Sequence, residues 1–196
     1  MSWILITISA HLLNALVLVI DKHLVSNTVL RPVAYTFYSS VFQILFLALI
    51  PIIGFAFPET RYLAIGILNG ILFVFTLLIF YKAVRLSEAS RVIPIVGGAI
   101  PIFTFFLSYI FLGERLTTWQ TAAFILFVFG GILMSTKFDK GKLIVIKGFY
   151  FAILSGFLFA VYYTLTKFLF LNIPFFDGFI LLQFGGFLGA LFLLIP

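Results

Sequence analysis

Residues 81–117 decide how this chain folds, because they hold a long apolar run between two short polar turns. Residues 81–91 read YKAVRLSEASR, residues 92–111 read VIPIVGGAIPIFTFFLSYIF, and residues 112–117 read LGERLT. The apolar run is about twenty residues long, which is the length that an α-helix needs to cross the hydrocarbon of a bilayer. The stretch therefore predicts a transmembrane helix with a polar connection at each end.

The same run contains features that a simple membrane anchor does not need. Pro94 and Pro101 lack a backbone donor, and Gly97 and Gly98 between them carry no side chain. Carbonyl groups that lose their hydrogen-bond donor in this way are tolerated in a membrane only where other protein groups or the water of a cavity donate to them. We therefore predict that Pro94, Gly97, Gly98 and Pro101 form a helix break that lines a cavity and takes part in gating.

Composition excludes an ordinary soluble domain. Hydrophobic residues make up 64% of the 196-residue chain and charged residues only 9%, against about 25% charged residues in soluble domains. The lipid bilayer is therefore the expected partner of the protein surface, and we predict a multi-pass protein of the cell membrane. The net charge of +6 resides in short loops, which favours a positive-inside bias over nucleic-acid binding.

Seven apolar segments follow one another with short connections, which predicts an all-α, polytopic transmembrane helical bundle. Their approximate ranges are Trp3–Leu24, Val33–Phe57, Tyr62–Tyr81, Val92–Leu112, Thr118–Met134, Gly148–Phe170 and Phe175–Pro196. Before the fifth segment, Thr117 and Gln120 have the spacing of a capping box, in which each residue satisfies a backbone donor of the other.

A polar stretch divides the chain into two parts that resemble each other. Three pairs of landmark residues lie 145 positions apart: Lys22 and Lys167, Asn27 and Asn172, Pro51 and Pro196. We therefore expect a first five-helix repeat at residues 1–136, a basic linker at residues 137–147, and the start of a second repeat at residues 148–196. An odd number of crossings inverts the second copy, so the expectation is a C-terminally truncated part of a ten-helix, 5+5 inverted-repeat protein.

Basic residues lie mainly at one side of the predicted bundle. Nine lie on one side, namely Lys22, Arg31, Lys82, Arg85, Arg91, Lys137, Lys140, Lys142 and Lys147, and three on the other, namely Arg61, Arg115 and Lys167. The bias predicts that the loops between segments one and two, three and four, and five and six face the cytoplasm.

A few polar residues interrupt the apolar segments at membrane depth. Thr7, His11 and Asn14 share one face of the first segment, Asn69 lies near the middle of the third, and Tyr162 lies in the sixth. Polar groups at this depth usually face the bundle interior or a wet cavity, so these five residues are candidate solute contacts. Hydrogen bonding between helices is the alternative explanation.

The sequence contains no motif that indicates catalysis or the binding of a metal or cofactor. The chain has no cysteine, no HExxH motif and no phosphate-binding glycine loop with lysine, so we predict no metal, no cofactor, no catalytic residues and no enzyme activity. Every carboxylate lies near an end of an apolar segment, which leaves His11 as the only deep group that titrates near neutral pH. We expect facilitated diffusion or exchange, or proton coupling that depends on His11 or on helices outside this sequence.

The turns at residues 81–91 and 112–117 resemble those of the EamA-type permeases of the drug/metabolite transporter superfamily. There, an alanine-serine turn follows the third helix and a glycine-glutamate-arginine turn follows the fourth, as Ala89-Ser90 and Gly113-Glu114-Arg115 do here. The resemblance implies a permease that moves a small metabolite or drug-like solute by alternating access. Our own hypothesis is that segments one, three, four and six line the cavity. The resemblance also implies a cytoplasmic N-terminus, which disagrees with the charge bias.

Two other functions remain open from the sequence. A flippase for lipid-linked sugars would need an aromatic-lined lateral opening, which the Phe-rich sixth and seventh segments allow. A non-transporting structural subunit would have buried polar residues that satisfy one another. A homodimer is likewise an open alternative to a monomer.

Overall fold

A computed structural model of the chain describes residues 2–27, 31–135, 138–139, 142–143 and 147–195. The helices are α1 (Ser2–Asn27), α2 (Pro32–Val41), a 3₁₀-helix (Phe42–Leu49), α3 (Ile50–Ile53), α4 (Thr60–Leu86), α5 (Ala89–Leu112), α6 (Thr118–Ser135), α7 (Phe149–Asn172) and α8 (Phe175–Phe192). The two-residue strands β1 (Phe138–Asp139) and β2 (Lys142–Leu143) pair in antiparallel fashion within the predicted linker.

The predicted all-α, polytopic membrane bundle is confirmed. Among the described residues, six helical spans are long and apolar enough to cross a membrane, with α2, the 3₁₀-helix and α3 together forming one of them. The helix α6 is a shorter apolar helix. These seven helical units correspond to the seven segments predicted from the sequence.

Local sequence explains where α5 ends and α6 begins. Gly113 adopts a left-handed conformation with φ of 67° after the last residue of α5, a conformation that glycine adopts without steric cost. The backbone N–H of Thr117 donates to Gln120 Oε1 at 2.9 Å, and the N–H of Gln120 donates to Thr117 Oγ1 at 3.4 Å. The predicted capping box is therefore confirmed.

Contacts between helix ends fix the direction of each helix. Lys22 near the end of α1 contacts Ser87 at the end of α4, and Ser87 contacts Gly148 at the start of α7. We call this side of the bundle the Ser87 end. At the opposite side, the ion pair between Glu114 and Lys167 joins the turn after α5 to α7, and we call that side the Glu114 end.

The helices α4 and α8 cross closely because glycines line their contact. A Cβ atom added to Gly70 would collide with backbone atoms of Leu182, Gly185 and Gly186 on α8. One added to Gly185 would collide with the backbone of Ile67 on α4. Small residues let two membrane helices approach backbone to backbone, and this close approach gains dispersion energy.

The residues of the predicted helix break lie in a helix that is α-helical throughout. The helix α5 runs without interruption from Ala89 to Leu112, with Pro94 and Pro101 inside it. Gly97 has open space beside its Cα, and Gly98 approaches Gly131 of α6. The gating role of these residues remains a prediction.

The second membrane span, in contrast, changes its helix type. It is 3₁₀-helical over the eight residues Phe42–Leu49 and returns to α-helix at Ile50. Pro51 follows directly, and it lacks the N–H that would bond to the Leu47 carbonyl in a continuous α-helix. A 3₁₀ stretch of this length is uncommon and is often associated with a hinge or a strained sequence.

Candidate solute site

Asn69 is the most deeply buried amide of the bundle, with 1% of its surface exposed. Its Nδ2 donates to the backbone carbonyl of Tyr162 at 3.1 Å and to Thr166 Oγ1 at 3.0 Å, so α4 is joined to α7. The carbonyl of Tyr162 can only accept, which fixes the amide with its nitrogen towards α7. Two of the residues singled out in the sequence, Asn69 and Tyr162, therefore lie together.

The oxygen of the same amide has no partner. Asn69 Oδ1 is buried and accepts no hydrogen bond within the described part of the chain. Leaving a buried polar atom unpaired costs about 1–3 kcal/mol. Asn69 therefore presents a fixed acceptor, which an N–H or O–H group of another molecule can satisfy.

Aromatic side chains lie next to this amide. Phe73, one helical turn after Asn69, packs on Tyr162 with ring centroids 4.8 Å apart. Phe159 stacks on Tyr163 at 6.1 Å, and it also contacts Phe73 at 6.3 Å. Tyr162, whose carbonyl binds the Asn69 amide, therefore belongs to a cluster of aromatic rings on α4 and α7.

The other predicted contacts lie on α1. Thr7, His11 and Asn14 are exposed along the first half of that helix, in which every residue from Ile4 to Val17 is exposed. Asn69, in contrast, is 1% exposed. Their role as solute contacts remains a prediction.

Gln43 is a polar residue at membrane depth that the sequence reasoning missed. It lies in the 3₁₀-helix, and its Oε1 packs against Gly186 of α8 so closely that a side chain at Gly186 would collide with it. A lone amide in the apolar run at residues 41–50 was the available signal, because polar groups at this depth seldom face lipid.

Asp21 also has a more specific environment than its sequence position indicated. The residue is 9% exposed, and its carboxylate accepts hydrogen bonds from the hydroxyls of Tyr35 at 2.5 Å and Tyr81 at 3.1 Å. The two tyrosine rings meet edge to face, with centroids 4.8 Å apart. One carboxylate thus joins α1, α2 and α4 near the Ser87 end.

Further polar contacts hold the Glu114 end. Lys167 pairs with Glu114 at 2.5 Å, and both side chains are about half exposed. The hydroxyl of Tyr62 donates to Asn172 Oδ1 at 3.0 Å. Glu114 therefore has a structural partner on α7, which agrees with its interpretation as a turn residue.

The described residues contain no group of three or more His, Asp or Glu side chains that could hold a metal ion.

Comparison with known proteins adds one finding. The family model described as the EamA-like transporter family matches residues 1–136. No curated protein and no solved structure matches the chain.

Proposed function

The chain belongs to the EamA-like transporter family and is a membrane transporter, and we propose that it carries a small metabolite or drug-like solute by alternating access. The family is one of transporters and not of enzymes.

The unpaired oxygen of Asn69 carries the proposal. A protein that only packs in the membrane gains by satisfying every buried polar group, because lipid offers no replacement partner. Within the described part of the chain, Ser40 Oγ, Asn69 Oδ1 and Thr104 Oγ1 are buried without a hydrogen-bond partner. Such unused hydrogen-bonding capacity favours a solute path over a purely structural interior.

The fixed orientation of Asn69 indicates what a cargo must present. Both amide hydrogens are engaged by α7, so the remaining group is an acceptor. A cargo with an N–H or O–H donor is therefore favoured, and the neighbouring rings of Phe73 and Tyr162 suit an apolar or planar part of the same molecule. In alternating access, this contact would form in the middle of the membrane and face each side in turn.

The test compares Asn69→Leu with the matched control Thr76→Val. Thr76 lies on the same helix and is fully buried, but its hydroxyl bonds to the Leu72 carbonyl of its own helix. Cells producing each variant are compared by untargeted mass spectrometry of the solutes inside and outside. We expect the wild-type protein and Thr76→Val to change the distribution of one solute between the inside and the outside of the cells. Asn69→Leu should change that distribution about tenfold less, because one hydrogen bond to the cargo is lost.

Two results would contradict the proposal. Equal solute distributions with Asn69→Leu and with the wild-type protein would remove Asn69 from the site. If the wild-type protein is present in the membrane in normal amounts and no solute changes its distribution, a structural subunit would be favoured.

A further inference from the structure

The Ser87 end of the bundle is held by buried polar contacts between helices that are distant in sequence. Asp21 on α1 accepts from Tyr35 on α2 and from Tyr81 on α4, and all three residues are buried. These are side-chain contacts, and none of them belongs to the hydrogen bonding of a helix backbone. Separating α1 from α2 and α4 therefore requires that this carboxylate lose both donors.

Lys22 adds a second connection at the same level. Its Nζ donates to the carbonyls of Val84 at 2.7 Å and Ser87 at 2.8 Å, which are among the last acceptors of α4. A cation at this position is favoured because the C-terminal carbonyls of a helix carry partial negative charge. The ammonium group of Lys22 therefore bonds to α4. The Asp21 carboxylate accepts its hydrogen bonds from the two tyrosine hydroxyls instead.

Apolar packing surrounds these polar contacts. The larger buried cluster of the protein includes Val25, Tyr35, Phe80, Tyr81, Val84 and Val92, all close to the Ser87 end. The buried cluster at the opposite side is smaller, with Tyr62, Leu169 and Leu182 at its centre. Apolar side chains therefore pack beside the Asp21 contacts with Tyr35 and Tyr81 at the Ser87 end.

The helix α1 differs sharply between its two halves. Every residue from Ile4 to Val17 is exposed, whereas Asp21 and Val25 are buried. At the Glu114 end, the polar connections involve partly exposed side chains, as in the pair of Glu114 and Lys167. The buried polar contacts of α1 with α2 and α4 therefore lie near the Ser87 end.

We propose that Asp21, Tyr35 and Tyr81 form a gate that closes the Ser87 end of the solute path, and that the structure is the conformation in which this gate is shut. The proposal rests on the proposed alternating-access function. When the gate opens, α1 moves away from α2 and α4, and water replaces the tyrosine hydroxyls around the Asp21 carboxylate. The Lys22 contacts with α4 break in the same movement.

The absence of cysteine from the sequence makes the gate directly measurable. A single cysteine is introduced by Val25→Cys, at a position that is 1% exposed beside the gate. The 196-residue chain in liposomes is treated with a membrane-impermeant maleimide, and the labelling rate is compared with that of Ser90→Cys, an exposed position at the same end. A shut gate predicts slow labelling at position 25 and fast labelling at position 90.

Removal of the two hydroxyls should open the gate. Tyr35→Phe and Tyr81→Phe keep the rings and remove only the donors, and each is expected to speed labelling at position 25 by about tenfold, with a larger effect for the pair. The matched control is Tyr62→Phe, which removes the corresponding hydrogen bond to Asn172 at the Glu114 end. The control should change the rate less than about twofold.

The outcome is decisive in either direction. If both tyrosines are intact and position 25 is labelled as fast as position 90, the Ser87 end is open. If Tyr35→Phe, Tyr81→Phe and Tyr62→Phe give equal labelling rates at position 25, the tyrosines are not part of a gate. If the double variant does not fold, the single variants and Asp21→Asn give the same comparison. Labelling needs no cargo, so a failed gate leaves the solute-transport proposal standing, and a failed transport assay leaves the labelling result interpretable.

Discussion

Gly70 is a position at which one added methyl group would force α4 and α8 apart. Its missing Cβ lets Leu182, Gly185 and Gly186 of α8 come into backbone contact with α4. Backbone atoms cannot rotate away as a side chain can, so the two helices would have to separate. Gly97, on α5, offers a matched comparison because nothing lies within 4 Å of its added Cβ.

We expect Gly70→Ala to lower the free energy of unfolding by about 1–3 kcal/mol, as overpacking of a tight contact does. Gly97→Ala should be neutral or raise it by up to about 1 kcal/mol, because alanine is the better helix former. Thermal unfolding in detergent, followed by circular dichroism, measures both. A midpoint for Gly70→Ala equal to that of Gly97→Ala would show that the α4–α8 crossing is looser than described.

Residues whose partners are local were predictable, and residues whose partners are remote were not. Thr117 and Gln120 satisfy each other across three positions, so their spacing alone predicted the capping box. Asp21 and Tyr81 are 60 positions apart, and nothing in either local sequence indicates the other. Asn69 was predicted as a buried polar residue, but its partner Thr166 follows only from the packing of α4 on α7.

At the scale of the element, the helix α5 combines two interior prolines with an unbroken course. Its two prolines lie within a continuous α-helix, and each removes a backbone hydrogen bond and crowds the carbonyl four residues before it. Replacement by alanine should therefore stiffen α5, since proline is about 3 kcal/mol less favourable than alanine in a helix interior.

We expect the double variant Pro94→Ala, Pro101→Ala to insert normally in the membrane and to transport several-fold more slowly, because a moving helix has lost its weak points. The control is Pro32→Ala, at the first turn of α2, where the missing N–H of proline costs nothing. Uptake is normalised to the amount of protein in the membrane by immunoblotting. Normal uptake by the double variant would show that the prolines have no part in gating.

The extent of the helices followed from the sequence, but their internal geometry did not. Apolar length predicted α5 and α6 to within three residues at every end, because the bilayer imposes a minimum length on any span. The 3₁₀ stretch at Phe42–Leu49 contains neither proline nor glycine. Its only local signal is Pro51, beyond its end, and a single proline is equally compatible with a continuous helix.

At the scale of the whole molecule, the two ends of the bundle differ in charge, and this difference predicts its orientation. Ser90 lies at the Ser87 end, near Lys82, Arg85 and Arg91, and Arg115 lies at the Glu114 end; both positions are exposed. The positive-inside bias places the first in the cytoplasm and the second outside. The gate of Asp21, Tyr35 and Tyr81 would then face the cytoplasm.

We expect an impermeant maleimide to label Arg115→Cys but not Ser90→Cys in intact cells, and to label both after permeabilisation. The unaltered, cysteine-free protein is the control for background reaction. The reverse pattern would mean that the N-terminus is cytoplasmic, as in the family that the turns resemble, and that charge bias is a poor guide for this chain.

The architecture as a whole was predictable because the membrane constrains it so strongly. A chain with 64% hydrophobic residues is expected to form helical spans, because lipid offers no hydrogen-bond partners and a helix pairs its own backbone groups. The family match ends at residue 136, which is also where the first predicted repeat ends. The division into two repeats nevertheless remains a prediction, because it depends on landmark pairs such as Lys22 and Lys167, whose contacts in the structure are not alike.

The 3₁₀ stretch has a consequence for how the second span matches the thickness of the bilayer. A 3₁₀-helix rises about 2.0 Å per residue and an α-helix about 1.5 Å, so these eight residues reach about 4 Å further than they would in α-helical form. The 22 residues of Pro32–Ile53 thus extend about as far as 25 α-helical residues. Their neighbours Thr60–Leu86 and Ala89–Leu112 have 27 and 24 residues. The tighter winding therefore lets a short span cover the same hydrocarbon depth without the local thinning that hydrophobic mismatch would impose.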